Sequence, residues 1–299
     1  MANTQFKESD LLHISNLELL AKQVVEGFLT GLHKSPYHGF SVEFAEHRQY
    51  NNGESTKNID WKLYARTDKL FVKRFEEETN LRCQIVIDTS GSMYFPSEGF
   101  NKIRFSVIAA ASLIQLMKKQ RDATGISLFN DELWFHSSAK LGLTHQKLLF
   151  SKLQSCLLEP KIQKASEIAK TLHYLAEGIH KRSLVIVFSD FLNNSNEALF
   201  ESLQHLKYNK HEVVLFDIQD QTKELLFDFD NRPYLFKDLE TGEELKLHPN
   251  AVKEIYLKNY KQHKEAIKLK CLQYKIDYNE AIIGPDFNQV LQAFIMHRR

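Results

Sequence analysis

Gln84-Ile85-Val86-Ile87-Asp88-Thr89-Ser90-Gly91-Ser92-Met93 is the stretch that decides the fold of this chain. Ile85, Val86 and Ile87 form an unbroken apolar run, as expected of a strand covered on both faces. The run stops on an acid, and residues that carry hydroxyls or no side chain follow it. After a short polar stretch, Lys102 to Lys119 carries apolar residues at helical spacing. A buried strand, a polar loop and a helix, in that order, open a doubly wound α/β sheet, whose ligands sit at the carboxyl ends of its strands. Asp88, Ser90 and Ser92 are therefore expected on one ligand-facing loop. A carboxylate and two hydroxyls are hard oxygen donors, suited to Mg2+ or Mn2+ rather than to zinc or copper. Mg2+ takes about six oxygens and usually keeps some waters, so other loops must contribute and a position stays open. The same residue types also serve as turn and cap residues, and the triplet alone does not decide between the two.

Working outward, strand and helix alternate from Arg82 to the end. The spacing predicts a helix over Lys102–Gln120, a strand from Gly125 to Phe129, a turn at Asn130-Asp131 and a strand over Leu133–His136. Helices are expected at His145–Cys156 and Ser166–His180. Leu184-Val185-Ile186-Val187-Phe188 is the second fully apolar strand, and it ends in Ser189-Asp190. A helix over Asn196–Tyr208 and a strand over Glu212–Asp217 come next. Paired short strands around Asn231-Arg232-Pro233 and Thr241-Gly242 then interrupt the pattern. A long helix (Pro249–Gln273), a strand (Asp277–Ile282) and a helix (Asp286–His297) close the chain. This alternation argues for a mainly parallel sheet with helices on both faces. Asp190 ends its strand as Asp88 does, so two carboxylates are expected at one sheet edge. A loop or cap acid is the competing reading. Ser166 opens the preceding helix, either as a further hydroxyl ligand or as an N-cap.

The bulk numbers bound the function. The 299 residues carry a net charge of +1, which gives no electrostatic case for nucleic acid or an anionic membrane. Cys83, Cys156 and Cys271 are far apart and fit a reducing compartment rather than a disulfide framework. The first residues are polar and lack a signal-peptide core. The run Val107–Met117 is too short to span a bilayer, which takes roughly 20 residues. A cytoplasmic protein is expected, with no direct membrane insertion. No Gly-x-Ser-x-Gly elbow, phosphate-binding glycine loop or His-Glu-x-x-His occurs. An aspartic-protease reading fails because no Asp-Thr/Ser-Gly triplet occurs and the chain is too helical.

Residues 1–80 are expected to be an N-terminal elaboration and 81–299 the α/β domain. The elaboration comprises one or two amphipathic helices over Ser9–Leu32, a strand at Ser41–Phe44, a strand running into a turn over Arg48–Gly53, a helical turn at Ile59–Arg66 and a strand over Leu70–Phe75. Its charged and aromatic block, Arg48 to Glu78, reads as an ion-pair network tying the segment to the sheet domain, rather than a basic-aromatic surface for nucleic acid.

Asp88-x-Ser90-x-Ser92 with Asp190 resembles the metal-ion-dependent adhesion site (MIDAS) of von Willebrand factor type A domains. Arg48-x-Tyr50-x-x-Gly53-Glu54, Ile59-Asp60-Trp61, Ala65-Arg66 and Asp88-Thr89-Ser90-Gly91-Ser92-Met93 together resemble the bacterial domain-of-unknown-function family fifty-eight. That resemblance implies a von Willebrand type A-like, Rossmann-like sheet with an N-terminal addition. It further implies a MoxR-type AAA+ ATPase as partner, in a chaperone-like or assembly role. It also implies Ser90 and Ser92 as direct ligands of Mg2+ or Mn2+, with Asp88 and Asp190 as outer or alternating ligands. Ser166 stands where the family usually has threonine. Glu54 and Lys57 stand where Asp and Arg are usual, and Lys lacks the bidentate fork of Arg. The expected function is a non-enzymatic protein-binding module that takes a partner's carboxylate in the open position. The alternatives are a magnesium-dependent phosphoester hydrolase and a metal-free scaffold.

Overall fold

The computed structural model describes residues 16–33, 47–49, 61–73, 81–158, 167–192, 196–239 and 242–296. The chain divides into two compact units, one of residues 1–30 with 81–299 and one of residues 31–80. The first helix, up to Thr30, groups with the sheet.

Helix α1 (Leu17–His33) is capped by Asn16, whose Oδ1 accepts from Leu19 N at 3.0 Å. Leu17, Ala21, Val24, Val25 and Phe28 recur at helical spacing and are buried. In the smaller unit, β1 (His47–Gln49) pairs antiparallel with β2 (Phe71–Lys73), and α2 (Trp61–Thr67) lies between them in sequence. Trp61 and Tyr64 meet edge to face there, with ring centroids 6.2 Å apart. The expected strand at Ser41–Phe44, the part of the Arg48–Gly53 strand and turn from Tyr50 on, most of the ion-pair block and the acids Glu76–Glu78 lie outside the described residues.

The large unit is built on six strands: β3 (Arg82–Asp88), β4 (Ala123–Phe129), β5 (Leu133–Lys140), β6 (Leu184–Ser189), β7 (Glu212–Gln219) and β10 (Asp277–Ile282). Their order is β10-β7-β6-β3-β4-β5, parallel throughout except for the β4–β5 edge pair. Helices α3 (Lys102–Gln120), α4 (Leu143–Leu158), α5 (Ile168–Gly178), α6 (Asn196–Tyr208), α7 (Pro249–Gln273) and α8 (Asn288–Met296) fill the connections. Val86, Val185, Val187, Val213 and Leu215 face α5, α6 and α7 in one apolar cluster. The alternate residues Ile85, Ile87, Ile186, Val214 and Phe216 are equally buried on the other face. Burial on both faces is why these strands read as continuous apolar runs. Each such side chain contributes about 1.5–3 kcal/mol of burial.

Chain order fixes where a ligand belongs. After β3 the chain adds β4 and β5 on one side, then crosses back to place β6, β7 and β10 on the other. The order reverses between β3 and β6, and crevices form at that switch point, beyond the carboxyl ends of the strands. The register pairs Ile87 with Phe188, so Asp88 and Ser189-Asp190 emerge side by side.

Some expected boundaries shift. β5 runs on to Lys140, beyond His136, as an edge strand whose later residues are polar and partly exposed and so lack an apolar signature. Helix α5 begins at Ile168 and has Glu167 in the cap position, so the expected start at Ser166 is two residues early. The interruption after β7 is the antiparallel hairpin β8 (Tyr234–Lys237) and β9 (Glu244–Leu247). No described helix is long and apolar enough to cross a membrane.

Candidate functional site at the ends of β3 and β6

The apolar run of β3 ends because the sheet ends, and its last residue is a fully buried acid, Asp88. A carboxylate there must be satisfied by donors. Its Oδ1 accepts from Ser90 N at 2.9 Å, and its Oδ2 accepts from Ser189 Oγ at 2.8 Å. The second bond ties the end of β3 to the end of β6. Thr89 is tied to the neighbouring strand β4: its backbone N and its Oγ1 both donate to Phe129 O at 2.7 Å. Trp134 Nε1 donates to the same hydroxyl at 3.0 Å.

The loop then tightens into a single 3-10 turn, Gly91–Tyr94. Ser90 Oγ and Ser92 Oγ lie 3.2 Å apart, so the two hydroxyls converge on one point. Gly91 between them has no room for a side chain. A Cβ there would lie 2.5 Å from the backbone oxygen of Leu239, at the turn of the β8–β9 hairpin. That hairpin therefore packs over the serine loop.

Asp190 follows β6 and is buried. Its Oδ2 accepts from Lys102 Nζ at 2.6 Å, and its Oδ1 accepts from Leu192 N at 3.4 Å. Lys102 is the first residue of α3, placed there by its neighbour Asn101, whose Oδ1 caps the helix by accepting from Arg104 N at 3.1 Å. The lysine is fully buried and also donates to Glu224 Oε1 at 2.6 Å. Glu224 sits in a π-turn, Gln221–Leu225, with its Oε2 accepting from Asp220 N at 2.8 Å. Burial opposes the charge on Lys102, but Asp190 and Glu224 overcome it and hold the ammonium above the ordinary lysine value. Burial likewise opposes ionisation of Asp190, and Lys102 outweighs it, so that carboxyl is held below its usual range. Glu224 goes the other way: burial, helped by Asp190, pushes it up against the pull of Lys102.

The structure thus brings together four of the five residues singled out in the sequence: Asp88, Ser90, Ser92 and Asp190. Ser166 lies outside the described residues. Three participants were not signalled by the sequence reading: Ser189, Lys102 and Glu224. Ser189 stands beside Asp190 at a strand end and could have been read with it. Lys102 and Glu224 carried no local signal, because each is an ordinary charged residue at the start of a helix or in a loop.

Four buried carboxylates (Asp88, Asp190, Asp217 and Glu224) share this edge with two ammoniums, Lys102 and Lys264, so negative charge is in surplus. Converging hydroxyls beside such a surplus suit a hard cation, and the chain already holds a cation, Lys102 Nζ, against Asp190. The family model for proteins of unknown function DUF58 matches residues 46–266.

This chain belongs to the DUF58 family.

Uncharacterized proteins of Mycobacterium tuberculosis and Mycobacterium bovis are each 26% identical to this DUF58 protein over 207 residues, 69% of this chain and 64% of theirs. The chain therefore spans 64% of the length of these curated relatives. Solved structures similar to it include an aerotolerance-related membrane protein from Bacteroides fragilis, 14% identical, covering 72% of this chain and 97% of that one, with a TM-score of 0.44. BatB from Bacteroides thetaiotaomicron is also 14% identical, over 73% of this chain and 98% of its own, with a TM-score of 0.44. The VWA domain of SpRpn10 is 13% identical, over 71% and 93%, with a TM-score of 0.38.

Proposed function

We propose that this DUF58 protein is a non-catalytic, cytoplasmic protein-binding module whose docking site is the serine loop between β3 and β6. Ser90 and Ser92, together with Asp88, Asp190 and Ser166, would hold Mg2+ or Mn2+. When bound, that ion supplies the positive charge that a partner's carboxylate needs. The chain's own residues do the rest. Asp88 fixes the loop through Ser90 N and, through Ser189, fixes it to β6. Asp190 and Lys102 set the charge behind the hydroxyls. The partner we favour is a MoxR-type AAA+ ATPase, in a chaperone-like or assembly role. The three described cysteines are buried and form no disulfide, in keeping with a reducing compartment.

The observation that carries this reading is the pair of hydroxyls 3.2 Å apart at the switch point of a doubly wound sheet. It is tested by co-purification of the MoxR-type ATPase with wild type and with the double substitution Ser90→Ala, Ser92→Ala, each with and without a chelator. The expected outcome is capture by wild type in Mg2+ and loss on chelation or substitution. Capture that is indifferent to both serines contradicts the proposal.

A further inference from the structure

The least expected feature of the site is a lysine with no access to solvent. Lys102 is fully buried, and its Nζ is 2.6 Å from Asp190 Oδ2 and 2.6 Å from Glu224 Oε1. Such burial is rare for lysine unless it is paired. An ammonium so enclosed cannot touch a docked partner, so recognition is not its role. Surface solubility is not its role either. What it does touch is the carboxylate of Asp190, next in the chain to Ser189, whose hydroxyl holds Asp88 and through it the loop of Ser90 and Ser92. A cation on that carboxylate and a cation on the hydroxyls draw on the same negative charge, and they repel each other at short range.

We infer that Lys102 is the resident cation of the serine loop: its ammonium balances Asp190 in the free protein and competes with any divalent ion for that carboxylate. This rests on the docking reading only in taking Ser90 and Ser92 as the ion's ligands. The lysine is tethered and always present, whereas a divalent ion must bind from solution. Lys102 is thus a positioning residue that sets how tightly the loop holds an ion. The loop of the free protein takes a divalent cation weakly. Glu224 shares the lysine and holds its ammonium from a second side.

The test uses Mn2+ alone as probe, measured by calorimetry and by electron paramagnetic resonance on the full chain. Wild type is compared with Lys102→Met, which keeps the aliphatic stem, and Lys102→Arg, which keeps the charge. Lys102→Met is expected to bind Mn2+ at least roughly tenfold more tightly than wild type, beyond the span of ordinary measurement error, and Lys102→Arg to show no gain. Ser90→Ala with Ser92→Ala, added to Lys102→Met, should abolish the gain. Equal or weaker binding by Lys102→Met, or a gain that survives loss of both serines, overturns the inference. Should Lys102→Met not fold, lysine-ammonium NMR decides on wild type. A hydrogen-bonded ammonium signal absent from Lys102→Arg is expected without metal, and its absence from wild type overturns the inference. The two readings fail separately. Unchanged Mn2+ affinity with serine-dependent partner capture removes the role of Lys102 alone. Tightened Mn2+ binding with serine-independent capture removes docking alone.

Discussion

Two buried lysine–aspartate pairs stand one residue row apart at the same end of the sheet, and they are built differently. Lys264 reaches from α7 to Asp217 Oδ1 at 2.7 Å and to the backbone oxygen of Asp190 at 2.6 Å. The other oxygen of Asp217 takes Gln219 Nε2 at 2.7 Å and the hydroxyl of Tyr278. Every donor around Asp217 comes from the layers that enclose it, so the pair anchors α7 and β10 to β7. Lys102 makes the same chemical contact with Asp190, but its surroundings do not close in the same way. A second carboxylate, Glu224, shares the ammonium, and Asp190 stands next to Ser189, which is tied through Asp88 to the loop of Ser90 and Ser92. The first pair is satisfied in full, and the second leaves charge over beside two hydroxyls. Buried ion pairs are weak evidence of stability in themselves; the difference between these two lies in what stands next to them.

The largest effects are expected from removing either ammonium. Lys264→Met and Lys102→Met each strand a buried carboxylate, and each should lower the unfolding free energy by about 3–5 kcal/mol in urea titrations. Added Mn2+ should restore stability to Lys102→Met alone, because only there does the native state gain an ion that the unfolded chain does not bind. Equal rescue of both variants would erase the distinction.

A smaller effect separates the serine loop from the hairpin above it. Gly91→Ala forces a Cβ against the carbonyl of Leu239, and overpacking of this kind costs about 1–3 kcal/mol. Hydrogen exchange should show the strain as lost protection in β8 and β9, with the amides of β7 and β10 unchanged. Uniform loss across the sheet would mean that the hairpin does not rest on Gly91.

The smallest effect is in the pH profile, where the two acids around Lys102 have opposite signs. Asp190 is held below its ordinary 3.8, so the unfolded chain takes up its proton first as pH falls. The stability it contributes is present above 3.8 and is lost as pH drops through the folded value. Glu224 is raised above its ordinary 4.5, so the folded state keeps a proton that the unfolded chain has released. Its contribution is present below 4.5 and is lost as pH rises through the folded value. Denaturation midpoints against pH should therefore lose acid sensitivity in Asp190→Asn and lose the opposing slope in Glu224→Gln. The same change of slope in both variants would contradict the assignment.

Much of this was legible in the sequence, and the reason is local. β3 and β6 announced themselves because strands covered on both faces are apolar at every position. Lys102–Gln120, Asn196–Tyr208 and Pro249–Gln273 were bounded correctly, the last with its proline at the first helical position. Asp88 and Asp190 were visible as acids ending such strands. The polar tail of β5 was not, because an exposed edge strand carries no apolar pattern. The Lys102 pairings were not legible either. Its partners lie 88 and 122 residues away, and no spacing rule connects charges that only the folded sheet brings together. That lysine changes the site from a bare set of oxygen donors to one with a cation of its own.

The central claim is that the ends of β3 and β6 form one cation-holding site shared between Lys102 and an incoming ion. The most direct measurement is anomalous diffraction from crystals of wild type and Lys102→Met soaked in Mn2+. The account expects a Mn2+ peak coordinated by the hydroxyls of Ser90 and Ser92 in Lys102→Met, stronger than in wild type, where Lys102 Nζ rests on Asp190. A peak of equal strength in both crystals with Lys102 undisturbed, or a peak away from the two serines, would contradict it.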